Sequence, residues 1–262
     1  EMRDFKEAIK SGEIVFAPWV VSGSPIMVEM MGYAGFEFVI IDTEHSSLSP
    51  YGAEFESCAR AAYAAGITPL TRTVWNYPDQ VKKVLNAGMK GVIPPHINTK
   101  EDAELLVKAA RFAPEGRRSC APVVRAARHG STPWPEFWRK SNEEIVVMPL
   151  IEEKEGIENI EDIVSVDGID GVFLGPFDLS MTLGYEGDCE EPIVWDALKK
   201  CVAACRSRGK VVGNLAWNME SAKKSIDLGA QFIGYSTDVT MIAAMLRSLS
   251  ETAKKEFGWI RV

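Results

Sequence analysis

The stretch "GYAGFEFVIIDTEHSSLSP", Gly32 to Pro50, decides how this chain folds. Gly35 ends a helical pattern, since glycine tolerates the left-handed position just past a helix end. Val39, Ile40 and Ile41 then form an apolar run that suits a strand covered on both faces. Asp42, Glu44 and His45 follow at once, with Ser46 and Ser47 behind them. Buried charge is costly unless it is paired or bound to metal. The titratable cluster therefore marks the place where a buried strand emerges.

The same junction of helix, glycine and strand recurs in "YAAGITPLTR", "LNAGMKGVIPPH", "DGIDGVFLG", "SRGKVVGNLA" and "LGAQFIGYS". Adding "EIVFAPWVV" and "EIVVMPLIEE" gives eight expected strands. Helices are expected between them, two with a capping Ser before Pro at Ser24-Pro25 and Ser49-Pro50. Later helices are expected to begin near Pro78, Thr99, Glu155, Pro192, Asn218 and Asp238. Eight β–α units in 262 residues predict the α/β class, a (β/α)8 TIM barrel as one domain spanning 1–262. An open doubly wound sheet is the alternative, but no G-x-G-x-x-G follows the first strand. Ala113 to Asn142 is too long for an ordinary connection, so it reads as a functional loop with a short helix around Pro135 to Lys140.

Composition narrows the function classes. The formal charge of −8 argues against a nucleic-acid surface, which should be basic. Five cysteines, Cys58, Cys120, Cys189, Cys201 and Cys205, are odd in number and lack metal-ligand spacing, which suits a reducing cytoplasm. The opening segment "EMRDFKEAIKSGE" reads as a charged amphipathic helix and not a signal peptide, and no apolar run reaches membrane-spanning length.

A parallel barrel carries its active site at the C-terminal ends of its strands. Trp19 lies near the first such end, Asp42, Glu44 and His45 follow the second, Arg72 ends the third and His96 the fourth. Glu152 and Glu153 end the fifth, and "GPFD" carries the sixth to Asp178. Asn214, Trp217, Tyr235 and Ser236 end the last two. Singly, each has a structural explanation: an Asp caps a helix, an Arg joins an ion pair, a His packs. Their place on successive strand ends is what points to chemistry.

The motifs "FVIIDTEHSSLSP", "PLTRTVWN", "PLIEEKEGIENIEDI" and "GIDGVFLGPFDLSMTLGY" resemble those of the HpcH/HpaI aldolases, metal-dependent pyruvate aldolases of the phosphoenolpyruvate/pyruvate barrel superfamily. The resemblance runs from about Gly12 to Leu246. "GVIPPHINTKEDAE" and "FAPEGRRSCAP" are similar to the macrophomate-synthase-like branch, with His96 as its marker. The resemblance implies that Glu152 and Asp178 bind Mg²⁺ or Mn²⁺, with Co²⁺ or Zn²⁺ as substitutes, because two carboxylates leave positions for substrate oxygens. It implies that Arg72 offsets charge on the keto oxygen. Gly175 and Pro176 begin the turn expected to hold the substrate carboxylate, with Gly175 as its N–H donor, and Trp19 is expected against substrate.

His45 matches the base that takes the C4 hydroxyl proton, near neutrality. Asp42 is expected to orient it, and Glu44 to accept from metal-bound water. No lysine ends a strand at a Schiff-base position; Lys154 reads as a loop residue. One departure stands out: Asn86 replaces the family's Asp, which assists the histidine across a subunit contact, and asparagine carries no charge. Phe177 is also bulkier than the residue common there.

The implied reaction is reversible retro-aldol cleavage of a 4-hydroxy-2-oxo acid to pyruvate and an aldehyde through a metal-bound pyruvate enolate. Decarboxylation of oxaloacetate or another 2-oxo acid is the alternative, and a non-catalytic 2-oxo-acid sensor the third reading. The resemblance further implies hexamers built as trimers of dimers, with the C-terminal helix exchanged between subunits.

Overall fold

Alternation along the strands sets the inside of the molecule. The computed structural model describes residues 2–258. Its strands are β1 (Val15–Val20), β2 (Phe38–Asp42), β3 (Thr68–Arg72), β4 (Gly91–Val92), β5 (Val146–Val147), β6 (Leu150–Ile151), β7 (Gly171–Leu174), β8 (Val211–Ala216) and β9 (Phe232–Thr237). All pairings are parallel, in the order β5-β4-β3-β2-β1-β9-β8-β7-β6. Residues with Phe38, Ile40, Leu70, Leu150 and Phe173 fill the space enclosed by the sheet. The alternate residues Val39, Ile41, Val172 and Leu174 pack outward with the helices. Side chains on a strand alternate between faces, so the apolar run at Phe38–Ile41 serves two cores at once.

The expected eight strands appear as nine because the fifth is in two pieces. Pro149 has no N–H to give to a ladder, and Met148 and Pro149 separate β5 from β6. The hydrogen bonds nevertheless continue across the break. Met148 N–H donates to Val92 O at 3.1 Å, Leu150 N–H to Pro94 O at 3.0 Å, and Phe173 N–H to Pro149 O at 2.8 Å. The two ends of the sheet are therefore one segment, and the sheet closes into the expected barrel.

Helix starts largely follow the sequence. Pro25, Pro78, Pro176 and Pro192 stand at helix entries, and Thr99 and Asn218 form capping boxes. Two expectations are corrected. Ser24 makes no side-chain capping bond, and Ser49-Pro50 precedes a turn, the helix starting at Ala53 with Gly52 as its cap. Ser49 instead accepts from the backbone N–H groups of Tyr51 and Gly52, so a local turn outcompetes the helix there.

The long connection holds a 3₁₀ segment, Arg125–Gly130, and a helix, Trp134–Glu144, longer than expected. Phe112, Trp134 and Phe137 pack edge to face and anchor it. The last helix, Asp238–Phe257, buries only Asp238 fully. Among the described residues no helix is long and apolar enough to cross a membrane.

Candidate active site

The inward face of each strand carries one residue further toward its C-terminal end, and there the polar side chains meet. Phe38 and Ile40 lead to Asp42, Leu70 leads to Arg72, Met148 and Leu150 lead to Glu152, and Phe173 leads to Gly175. Asp42 and Arg72 are direct register partners on β2 and β3. Their pairing is bidentate: Arg72 Nε donates to Asp42 Oδ1 at 3.0 Å and Nη2 to Oδ2 at 2.6 Å. Burial alone would lower the Arg72 pKa, but the Asp42 hydrogen bonds and neighbouring carboxylates raise it. The guanidinium is a fixed cation. Among the described residues, its Nη1 has no hydrogen-bond partner.

Asp42 was expected to orient His45, and the structure corrects this. Its carboxylate is fully buried on Arg72 and reaches His45 only by accepting the backbone N–H, at 3.4 Å, beside that of Glu44 at 2.9 Å. The His45 ring is largely exposed, with Nε2 4.0 Å from Glu44 Oε2. Within its own chain, Asn86 Oδ1 accepts from Arg118 Nη2 at 2.8 Å. Trp19 is 3% exposed and lies beneath Arg72, ring centre 4.7 Å from Cζ, so it supports the cation from the barrel interior instead of standing open to substrate.

Glu44 and Glu152 complete the inner wall. Glu44 Oε2 is 3.2 Å from Arg72 Nε, and Oε1 is 3.9 Å from His96 Nε2. Burial raises the Glu44 pKa against the pull of Arg72. Glu152 is 3% exposed, and burial, then the charges of Glu44 and Asp178, push its carboxyl up to about 7. A Cβ on Gly175 would lie 2.8 Å from Glu152 Oε2, so this position must be glycine for the carboxylate to fit. Gly175 N–H, expected to hold substrate, donates instead to Ile151 O at 3.0 Å. The first-turn N–H groups of Phe177 and Asp178 are what remains after Pro176.

Two participants carry more than their sequence positions suggest. His96 adopts a left-handed φ of 57°, which aims its backbone N–H at Glu152 Oε1, 3.1 Å away. Its Nδ1 lies 2.7 Å from Glu153 Oε1. The strand-end position was legible; the strained backbone was not. Asp238 is fully buried and accepts the N–H of Val21 at 2.9 Å, fixing the loop after β1. A cavity of about 620 Å³ lies elsewhere, among Arg3, Tyr63, Lys90, Arg125 and Glu144, and none of the strand-end residues lines it.

The donor set fits a hard divalent cation. Glu152 and Asp178 are mutually repelling carboxylates, and Glu152 is removed from water, which a cation would relieve. Among the described residues no group of three His, Cys, Asp or Glu is arranged to hold a metal unaided. Substrate oxygens and water would have to supply the other positions.

Comparison with known proteins gives the family. The model of the HpcH/HpaI aldolase/citrate lyase family matches residues 16–244. The chain belongs to that family. Its members generally depend on a divalent metal, and this chain is a lyase-class enzyme. It is 32% identical over 247 residues to a 4-hydroxy-2-oxo-heptane-1,7-dioate aldolase of Escherichia coli, covering 94% of this chain and 93% of the relative. It is 34% identical over 245 residues to a hydroxypyruvate/pyruvate aldolase of Sagittula stellata, covering 93% and 95%. An HpcH/HpaI aldolase from Desulfitobacterium hafniense superposes with a TM-score of 0.91 at 26% identity, covering 98% and 99%. Macrophomate synthase, at 22% identity and a TM-score of 0.81 over 96% and 91%, shares the fold.

Proposed function

We propose that this HpcH/HpaI enzyme cleaves a 4-hydroxy-2-oxo acid reversibly to pyruvate and an aldehyde. The observation that carries the reading is the buried Glu152 carboxylate, beside Asp178 and within the same rim as the fixed Arg72 cation. Glu152 and Asp178 are the residues that would hold Mg²⁺ or Mn²⁺. A divalent cation there supplies polarisation of the 2-oxo group and stabilises negative charge on its oxygen.

The protein's own groups account for the remaining steps. His45 takes the C4 hydroxyl proton as the C3–C4 bond breaks, and the hydroxyl carbon becomes the aldehyde. The bonding pair moves to C2–C3, and the enolate oxygen takes the charge. Arg72, clamped by Asp42, faces that charge with Nη1 and pays no reorganisation cost as it develops. Protonation at C3 then gives pyruvate.

Decarboxylation of oxaloacetate on the same groups is the second reading, favoured by two observations. His45 lacks a carboxylate clamp from Asp42, and position 86 is a neutral Asn bound to Arg118. Expelling carbon dioxide needs no base at C4. Both rates should be measured for wild type and His45→Ala at saturating Mn²⁺, and again in EDTA. The expected result is loss of both reactions in EDTA. His45→Ala should lose aldol cleavage by about 10²–10⁴-fold more than decarboxylation. Equal losses would remove His45 from the base role. Decarboxylation without aldol cleavage in the wild type would establish the second reading, and binding of 2-oxo acid without either reaction would leave a sensor.

The same reading includes a homo-oligomer, a hexamer with exchanged last helices, located in the cytoplasm. Supporting it are the helix Asp238–Phe257, largely unburied on its own barrel, and five free cysteines.

A further inference from the structure

Three flat rings run outward from the carboxylate cluster. The Trp75 ring centre is 4.4 Å from that of His96 with planes at 36°, and 6.3 Å from that of Tyr77 at 29°. The loop that bears them is tied at several points. Trp75 N–H donates to Gln80 Oε1 at 3.2 Å, Thr73 Oγ1 to Trp75 O at 2.9 Å, and Asn76 Nδ2 to Asp102 O at 2.9 Å. At the inner end, Glu153 fixes the His96 ring. The outer rings remain open: Trp75 is 42% exposed and Tyr77 52%.

The position of this stack relates it to the scissile bond. Glu44 stands between two imidazoles, with His45 Nε2 4.0 Å from Oε2 and His96 Nε2 3.9 Å from Oε1. The stack thus begins across one carboxylate from the base proposed for the C4 hydroxyl. The groups paired with its inner ring are all acidic: Glu44, Glu152 and Glu153. With Glu152 engaged by the cation, Glu44 and Glu153 still stand at the His96 ring, and a second substrate carboxylate laid here would meet like charge. A planar neutral group would stack.

We infer that Trp75, with Tyr77 and His96, selects the aldehyde portion of the substrate, and that it accepts an aromatic or planar apolar group in preference to a second carboxylate. This rests on the aldolase reading above and deepens it. It separates this chain from its relatives named for a heptane-1,7-dioate, whose substrate carries that second carboxylate.

Calorimetric titration tests this with 2-oxo acids that lack the C4 hydroxyl and so cannot undergo the aldol cleavage. The probes are pyruvate, 4-phenyl-2-oxobutanoate and 2-oxoheptane-1,7-dioate, each in saturating Mn²⁺. Wild type is expected to bind the phenyl compound about 10-fold more tightly than the dioate, the scale of one good aromatic contact. Trp75→Ala should erase that preference and Trp75→Phe should keep it. Pyruvate, which carries no group beyond C3, is the reference. If pyruvate binds but the dioate binds as tightly as the phenyl compound, the substrate-class inference alone is overturned. A preference that survives Trp75→Ala overturns the assignment to this stack. If pyruvate does not bind at all, the aldolase reading falls and takes the inference with it.

Discussion

Glu152 shows at the scale of one residue how a site opposes the stability of its own fold. Burial, and then the neighbouring carboxylates, push its carboxyl up to about 7, above the ordinary carboxylate range. A carboxyl whose pKa rises on folding favours the protonated folded state. The resulting destabilisation is absent below about pH 4.3, the unfolded value, and complete above pH 7. In EDTA, Glu152→Gln should therefore raise the melting temperature by about 5 °C at pH 8 and change it little at pH 4.5. Scanning calorimetry at the two pH values checks this, and an equal gain at both would mean the effect is not the buried charge. The Gln side chain keeps an acceptor for the His96 N–H, so the comparison isolates charge. Arg118 presents the opposite case, a cation 4% exposed whose hydrogen bonds go to neutral Ser141 and Asn86. Burial pushes its pKa down to about 9. Asn86→Asp should give it an ionic partner and raise the melting temperature by about 2 °C. A lower melting temperature would show that Arg118 does not accept the new charge.

At the scale of elements, the junction of β7 with the helix Pro176–Thr182 sets the site's geometry. Gly175 leaves room for the Glu152 side chain, since a methyl at this position would lie only 2.9 Å from Glu152 Cβ. Gly175→Ala should displace Glu152 and weaken Mn²⁺ binding by about 10-fold or more, while circular dichroism stays native. Unchanged Mn²⁺ affinity by electron paramagnetic resonance would contradict this, since it would mean that Glu152 yields freely. Much of this architecture was legible, because two-residue alternation ties Asp42, Arg72 and Glu152 to the inward face of apolar strands. Glycine and proline placed most junctions for the same kind of local reason. What the sequence concealed was the choice among partners. Asp42 had both His45 and a guanidinium within reach, and register put Arg72 directly beside it. His96 was visible as a strand end, but its left-handed backbone depends on the β4 connection meeting Glu152. Ser49-Pro50 misled because a hydroxyl satisfies a turn as readily as a helix end.

Across the whole molecule, the last helix is the element that its own barrel does not explain. Asp238–Phe257 spans twenty residues, about 30 Å at the usual rise. Ile242, Met245, Leu246 and Leu249 fall at the spacing that lines one helical face. Met245, Leu246 and Leu249 are 63%, 54% and 64% exposed, although a helix serving only its own barrel would bury that stripe. The site adds an independent reason to seek a second copy, because the exposed His45 ring is not clamped by Asp42. An exchanged helix would cover the stripe and bring subunits together around that rim. Leu246→Asp with Leu249→Asp should then shift sedimentation from an oligomer to a smaller species. Each charge would face an apolar partner surface, whereas on a solvent-facing helix both would be tolerated. Retained secondary structure in the smaller species would locate the defect at the interface. Unchanged sedimentation of the double variant would instead leave the stripe in water and end the case for exchange.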